Sequence, residues 1–199
     1  MHTSRPTPSK DQIALLPEFG RLGLDRITLV DTAQQAAEAS AALCDHPIWG
    51  FDTESKPTFV KEQISDGPHV VQLSTLQHAW VFQLTDPGCR ERVAELLAHA
   101  GHTKAGFGLG DDTRRIVAKL AVAPAAVLEL NHVFRERGYR KDMGVKSAVA
   151  VLFNQRFIKS KKAATSNWAN PHLSMAQLIY AANDAYAAAR VFQALNLPD

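Results

Sequence analysis

Two carboxylates, Asp52 and Glu54, end an apolar run that begins at Ile48. Side chains alternate between the two faces of a β-strand, so both carboxylates would leave a strand on the same face. Like charges held close together at a buried strand end destabilise it unless a partner neutralises them, and a divalent cation with oxygen ligands is the usual partner. A polar strand end that simply turns into a loop is the alternative.

Acidic residues recur at two later positions where they could join this pair. Asp111 and Asp112 follow a glycine-rich stretch that marks a turn from a strand into a helix. Acids in a first helical turn also complement the helix dipole, which needs no metal. Tyr180 and Asp184 are four residues apart in a predicted helix and therefore share one face. An exposed aspartate beside a half-buried tyrosine is the alternative there.

The order of the predicted elements indicates the fold that would hold these residues. A short strand at 26–30 and a helix at about 32–43 come first. Strands from Ile48, at 70–74 and at 79–84 follow with a short link between the last two, which favours an antiparallel meander. Helices and strands then alternate up to residue 130, which is typical of parallel strands, and helices at about 145–153 and 174–195 complete the chain. We therefore expect an α/β protein with a mixed five-stranded sheet flanked by helices.

Composition limits the class of protein but not its partners. The chain has 199 residues, of which 46% are hydrophobic, so one domain with a proper core is expected. Residues 1–12 are rich in Pro, Ser and Thr and are predicted to be disordered, which leaves 13–199 as the domain. A formal net charge of +2 is too small to indicate a partner. Two distant cysteines, no secretory leader pattern and no apolar run near the ~20 residues of a membrane span predict a cytoplasmic protein with no membrane contact.

Three motifs in this order resemble those of a known nuclease family. They are Asp52-Thr53-Glu54, then Lys104–Gly108 followed by Asp112, and finally Tyr180–Asp184. Together they resemble the 3′–5′ exonucleases of the DEDD superfamily, in its tyrosine-containing branch, and most of all the RNase D and Werner-type exonuclease domains. The resemblance implies a ribonuclease H-like (DnaQ-like exonuclease) fold. It also selects Asp112 over Asp111, which would then be the helix cap.

The resemblance implies a set of catalytic residues and cofactors. The implied catalytic residues are Asp52, Glu54, Asp112, Tyr180 and Asp184. The resemblance implies that the four carboxylates would hold two divalent cations, Mg²⁺ or Mn²⁺. Asp52 would serve both, Glu54 and Asp184 would hold the one that activates water, and Asp112 would serve the other. Two metals ~3.5–4 Å apart can activate the water and stabilise the leaving oxygen of a phosphodiester. Tyr180 would place its hydroxyl on the attacking water.

Four residues are candidates for substrate binding: Thr53, Phe59, Lys161 and Trp168. Lys161 belongs to a basic loop at 156–162 that either contacts phosphates or is an ordinary solvated loop. Phe59 could stack on a terminal base or serve as a packing lid. Trp168 lies in a stretch that also resembles the family, and it fits a supporting role better than direct contact.

The expected function is removal of nucleotides from the 3′ end of DNA or RNA by metal-dependent phosphodiester hydrolysis. A binding module of the same fold with weak activity and a phosphohydrolase of very short oligonucleotides are the alternatives. No motif distinguishes single-stranded DNA, RNA or short oligonucleotides as the substrate. We expect no additional helical nucleic-acid-binding domain of the kind found in RNase D, so a homo-oligomer is one way to supply affinity for long substrates.

Overall fold

The structure, a computed structural model, describes residues 5–58, 65–139 and 142–196. Within these ranges one six-stranded sheet has the order β1-β4-β3-β2-β5-β6. The strands are β1 (Ile27–Val30), β2 (Ile48–Glu54), β3 (Val70–Ser74), β4 (Ala79–Gln83), β5 (Thr103–Gly106) and β6 (Val127–Glu129). The predicted antiparallel meander is confirmed as β2-β3-β4, while β5 and β6 add in parallel beside β2.

The mixed sheet is confirmed, but the predicted count of five strands is wrong. The sixth strand is β1, which pairs in parallel with β4 at the edge of the sheet, with Ile27 opposite Ala79. The prediction recognised this strand in the sequence but did not place it in the sheet. Its partner lies about fifty residues further along the chain, and nothing local in the sequence reports that pairing.

Helices cover both faces of the sheet. They are α1 (Lys10–Ala14), α2 (Ala33–Cys44), α3 (Pro87–Ala98), α4 (Leu109–Leu120), α5 (Leu130–Glu136), α6 (Gly144–Phe153), α7 (Lys161–Ala164) and α8 (Met175–Ala194). The capping box predicted for the last helix is present, because Ser174 Oγ accepts from Gln177 N while the Gln177 side chain accepts from Ser174 N. Among the described helices, none combines the length and apolar character that crossing a lipid bilayer requires.

Strand β2 lies in the middle of the sheet and divides the core into two layers. Trp49 and Phe51 point to one face, where they pack in a cluster with residues of α2, α3 and α4. Gly50 and the alternate positions of β2 point to the other face, which α8 covers. A side chain at Gly50 would overlap the carbonyl oxygen of Ala185 and lie 2.8 Å from Ala189 N, so only glycine lets α8 approach this closely. This contact fixes the height of α8 above the strand that carries Asp52.

The N-terminal segment is tied to the rest of the domain. Asn183 of α8 accepts from Leu22 N at 2.7 Å and donates to Leu22 O at 3.2 Å.

Lys10–Ala14 forms a short helix in which Ser9 and Gln12 make a capping box. Residues 10–12 are therefore helical although the sequence predicts disorder there, because this local cap satisfies the first-turn amides. The division into 1–12 and 13–199 stays a prediction.

Candidate active site

Three carboxylates from two distant segments meet at the end of β2. Asp52 and Glu54 leave this strand on one face, as the strand period predicts, and Asp184 reaches them from α8. One oxygen from each of the three carboxylates lies within 4.8 Å of the others. Asp184 is 4% exposed, whereas Asp52 and Glu54 are partly exposed, so the cluster has one buried carboxylate and an accessible side. The structure thus brings together the first and third sequence motifs.

Asp112 joins this group from the opposite face of the sheet, in the first turn of α4. The hydroxyl of Thr53, which is buried, donates to Asp112 Oδ1 at 2.5 Å. Thr53 N donates to Asp52 Oδ1 at 2.9 Å, so this single residue links the two carboxylates. The observed contacts of Thr53 are with protein groups, and its contact with substrate stays a prediction.

The neighbouring Asp111 does not cap α4, contrary to the prediction. Its side chain is exposed and pairs with Arg114 three residues later. The cap position is Gly108, in the left-handed conformation at φ 73°, and it offers no side chain. The carboxylate of Glu129, at the end of β6, accepts from Leu109 N at 2.7 Å and satisfies an orphan amide of the first turn instead.

Tyr180 lies one helical turn before Asp184 and turns to the same side of α8. Its ring packs against Trp168, with the ring centroids 5.9 Å apart. Trp168 is fully buried and its indole N–H donates to Ala164 O at 3.4 Å. This burial favours the supporting role for Trp168 and leaves no indole surface for a substrate base.

Lys159 is a site residue that the sequence prediction did not select. Its ammonium lies 2.6 Å from Asp184 Oδ2 and 5.4 Å from the centroid of the Tyr180 ring. Lys161, the lysine selected from the same loop, lies exposed in the first turn of α7. Arg156 of this loop pairs with Glu18 at 2.9 Å, away from the cluster. Phe59, the remaining candidate, falls outside the described residues.

The electrostatics of the cluster favour a bound cation. Burial raises the pKa of Glu54 to about 10, and the nearby charge of Asp52 adds to this effect. Burial likewise raises the pKa of Asp52, with further contributions from Asp184 and Asp112. Burial and Lys159 act in opposite directions on Asp184, and its pKa is still raised. A single ammonium therefore does not offset the negative charge of this group, and hard divalent cations prefer oxygen donors of this kind.

Comparison with known proteins decides the family. The family model described as 3′–5′ exonuclease matches residues 27–197, which is most of the chain. The chain belongs to the 3′–5′ exonuclease family. Enzymes of this family generally depend on divalent metal ions.

Related proteins agree with this assignment. A 3′–5′ exonuclease of Arabidopsis thaliana is 27% identical over 153 residues, which cover 75% of this chain and 53% of the relative. The bifunctional 3′–5′ exonuclease/ATP-dependent helicase WRN of Mus musculus is 27% identical over 173 residues, which cover 85% of this chain and 12% of that protein. The chain thus spans about half of the first relative and a small part of the second.

A solved structure shares the fold. RNase D of Trypanosoma brucei in complex with RNA U12 superposes with a TM-score of 0.76 at 19% identity, over 95% of this chain and 65% of that one. The ribonuclease H-like fold expected from the sequence is confirmed by this likeness.

The acidic cluster of the exonuclease domain opens into a cavity of about 430 Å³. Asp52, Asp184 and Lys159 are among its lining residues. Phe107 of the β5–α4 turn and the segment Met143–Val145 at the start of α6 also line it. A cavity lined by both charged and apolar groups can hold a phosphate and a base at the same time.

Proposed function

We propose that this chain removes nucleotides one at a time from the 3′ end of single-stranded DNA or RNA, with Asp52, Glu54 and Asp184 at the reaction centre. The convergence of these three carboxylates within 4.8 Å, in a member of the exonuclease family, carries the proposal. Asp52 and Glu54 come from one sequence motif, and Asp184 comes from another that lies about 130 residues further along the chain. A fold without this chemistry would have no reason to bury them together, because their mutual repulsion and desolvation destabilise it.

Mg²⁺ or Mn²⁺ is the proposed cofactor. Asp52, Glu54 and Asp184 would hold one ion, and Asp52 with Asp112 would hold a second. When bound, such ions supply an activated water and stabilise the oxygen that leaves the phosphorus. Thr53 supports this arrangement, since its amide and its hydroxyl fix Asp52 and Asp112 in place.

Tyr180 would orient the attacking water rather than take its proton. Burial raises the pKa of the Tyr180 hydroxyl above its ordinary value of 10, and the nearby charge of Asp184 adds to this effect. The hydroxyl therefore stays protonated at neutral pH and acts through hydrogen bonds. The ring of Trp168 packs against the tyrosine ring and supports its position.

Lys159 is the residue that we assign to the substrate phosphate. Burial opposes its charge, but Asp184 and Asp52 more than compensate, so its pKa is raised and it stays positive. It lines the cavity together with Asp52 and Asp184, which are the ligands proposed for the reaction centre, and this position supports a contact with the scissile phosphate. When substrate binds, the Lys159 ammonium would leave its ion pair with Asp184 and bind a phosphate oxygen of the substrate.

The nature of the strand is the finer part of this proposal. A cavity of about 430 Å³ suits a terminal nucleotide or a very short oligonucleotide rather than a duplex end. The similar structure of RNase D in complex with RNA U12 supports RNA as one substrate. A homo-oligomeric assembly and a cytoplasmic location remain predictions from the sequence.

The test uses strands labelled at the 5′ end, in DNA and RNA versions and in lengths from two residues upward, with Mg²⁺ or Mn²⁺ added. The proposal predicts a ladder that shortens from the 3′ end and stops in excess chelator. Asp112→Asn should lose this activity, whereas the matched neighbour Asp111→Asn should keep it, because Asp111 pairs with Arg114 outside the cluster. Binding without cleavage by the parent protein would contradict the proposal, and equal loss in both variants would contradict the role of Asp112.

A further inference from the structure

Gln72 in β3 is a buried amide with no partner. Its side chain is 0% exposed, and neither its Nε2 nor its Oε1 makes a hydrogen bond with any described residue. Buried amides without partners destabilise a fold, and nearly all of them in native proteins are satisfied. Two of its neighbours on the same face, Val70 and Val81, are apolar and fully buried, so burial of this amide gains no hydrogen bond from them.

The strand register explains where this amide could act. Gln72 lies directly opposite Asp52 in the antiparallel pair β2-β3. Opposite residues have their Cβ atoms about 4.5–5.5 Å apart and project to the same face. Gln72 is the longer side chain of the pair, so its amide can reach the Asp52 carboxylate. Thr53 N already holds Asp52 Oδ1, and among the described residues no hydrogen bond reaches Asp52 Oδ2.

We propose that Gln72 is a positioning residue for Asp52, whose amide N–H donates to the Asp52 carboxylate when this carboxylate binds a divalent cation. This inference rests on the proposed function, because it assumes that Asp52 is a ligand. Groups that hydrogen-bond metal ligands fix their orientation, and removing such a group typically costs about 10–100-fold in metal affinity. In this account the fold keeps a poorly satisfied amide because the metal-bound form uses it.

The experiment replaces Gln72 by methionine, which has nearly the same length and no hydrogen-bonding group. Melting temperatures of the Gln72→Met and parent proteins are measured without metal and across a Mn²⁺ series. Without metal, the variant should melt at the parental temperature or above it, because an unpartnered buried amide is gone. Its apparent affinity for Mn²⁺ should fall by about 10–100-fold. A residue that is only structural would lower the metal-free melting temperature and leave the affinity unchanged.

Gln83 provides the matched control in the neighbouring strand. It is 1% exposed, and its Nε2 donates to Asn170 O at 2.6 Å. Gln83→Met should therefore lower the metal-free melting temperature and keep the parental Mn²⁺ affinity. Gln72→Leu is the second variant, and failure of both Gln72 variants to fold would overturn the inference, since the amide would then have structural partners.

The remaining outcomes separate this inference from the function on which it rests. Parental Mn²⁺ affinity in Gln72→Met, together with a normal response of the parent protein, overturns the inference alone. A parent protein that shows neither a Mn²⁺-induced rise nor 3′-end cleavage overturns the proposed function and the inference together.

Discussion

The contact between Gly50 and α8 yields a prediction whose size follows from the structure. A methyl group at Gly50 would overlap Ala185 O and lie 2.8 Å from Ala189 N. To bring the contact between this methyl group and Ala189 N to an ordinary 3.4 Å, α8 must move by about 0.6 Å. Relieving the overlap with Ala185 O requires a larger movement of the helix. Asp184 precedes Ala185, so it moves away from Asp52 together with the helix. Overpacking of this kind costs about 1–3 kcal/mol, and a 1 Å misplacement of reacting groups can cost about 10²-fold in rate.

Gly50→Ala should therefore lower the melting temperature by about 2–4 °C for each kcal/mol of lost stability, and it should reduce kcat by about 10²-fold. Thermal melts and single-turnover cleavage of an end-labelled strand measure the two effects. Gly20→Ala is the control, because an added Cβ at Gly20 meets no atom within 4 Å, and it should leave both quantities near the parental values. A Gly50→Ala protein with parental kcat would refute the reasoning that this helix contact sets the geometry of the site.

Three further substitutions test individual side chains. Tyr180→Phe should lower kcat by about 10²–10⁴-fold while the Mn²⁺-induced rise in melting temperature is kept, and cleavage at the parental rate would make Tyr180 a packing residue only. Lys159→Met should destabilise the metal-free protein by about 1–3 kcal/mol, because Asp184 loses its ammonium partner. The same substitution should enlarge the Mn²⁺-induced rise in melting temperature. Thermal melts that match those of the parent would contradict this ion pair. Lys104 is fully buried, and burial lowers its pKa from 10.5 to about 8. Between these two values the unfolded chain binds more protons at Lys104 than the folded protein does. The stability of the parent relative to Lys104→Met, measured by denaturant unfolding of both proteins, should therefore increase as the pH rises through this range, and a constant difference would contradict the lowered pKa.

The parts of the site that follow from local rules were predictable from the sequence. The strand period placed Asp52 and Glu54 on one face, and helical spacing placed Tyr180 beside Asp184. These relations depend only on the geometry of a strand or a helix. Their meeting in space depends on the whole fold, and the resemblance of the motifs to a known family supplied that step.

The choice between lysines in the basic loop was not predictable. Lys159 and Lys161 are two residues apart, and a loop has no period that tells which of them points inward. In the structure α7 begins at Lys161 and carries this residue into solvent, while Lys159 precedes the turn and meets Asp184. Lys159 could have been suspected only from the need of several buried carboxylates for a cation.

Long-range pairings explain the other differences. The edge position of β1 depends on β4, and the amide of Leu109 in α4 is satisfied by Glu129, which is twenty residues away. Asp111 had the residue type and position of a cap, but Arg114 is its partner. The tertiary structure decided the partners of β1 and of the Leu109 amide, whereas Asp111 pairs locally, one turn along its own helix.

Mn²⁺-dependent melting of Asp52→Asn tests the central claim most directly. If Asp52 is a ligand, removing its charge relieves repulsion in the cluster, so the metal-free variant should melt at or slightly above the parental temperature. At 100 times the dissociation constant, Mn²⁺ should stabilise the parent by about 2.7 kcal/mol, or roughly 5–10 °C for a domain of this size. The variant should show a much smaller rise at the same concentration. An equal rise in both proteins would contradict the claim that this acidic cluster binds the metal.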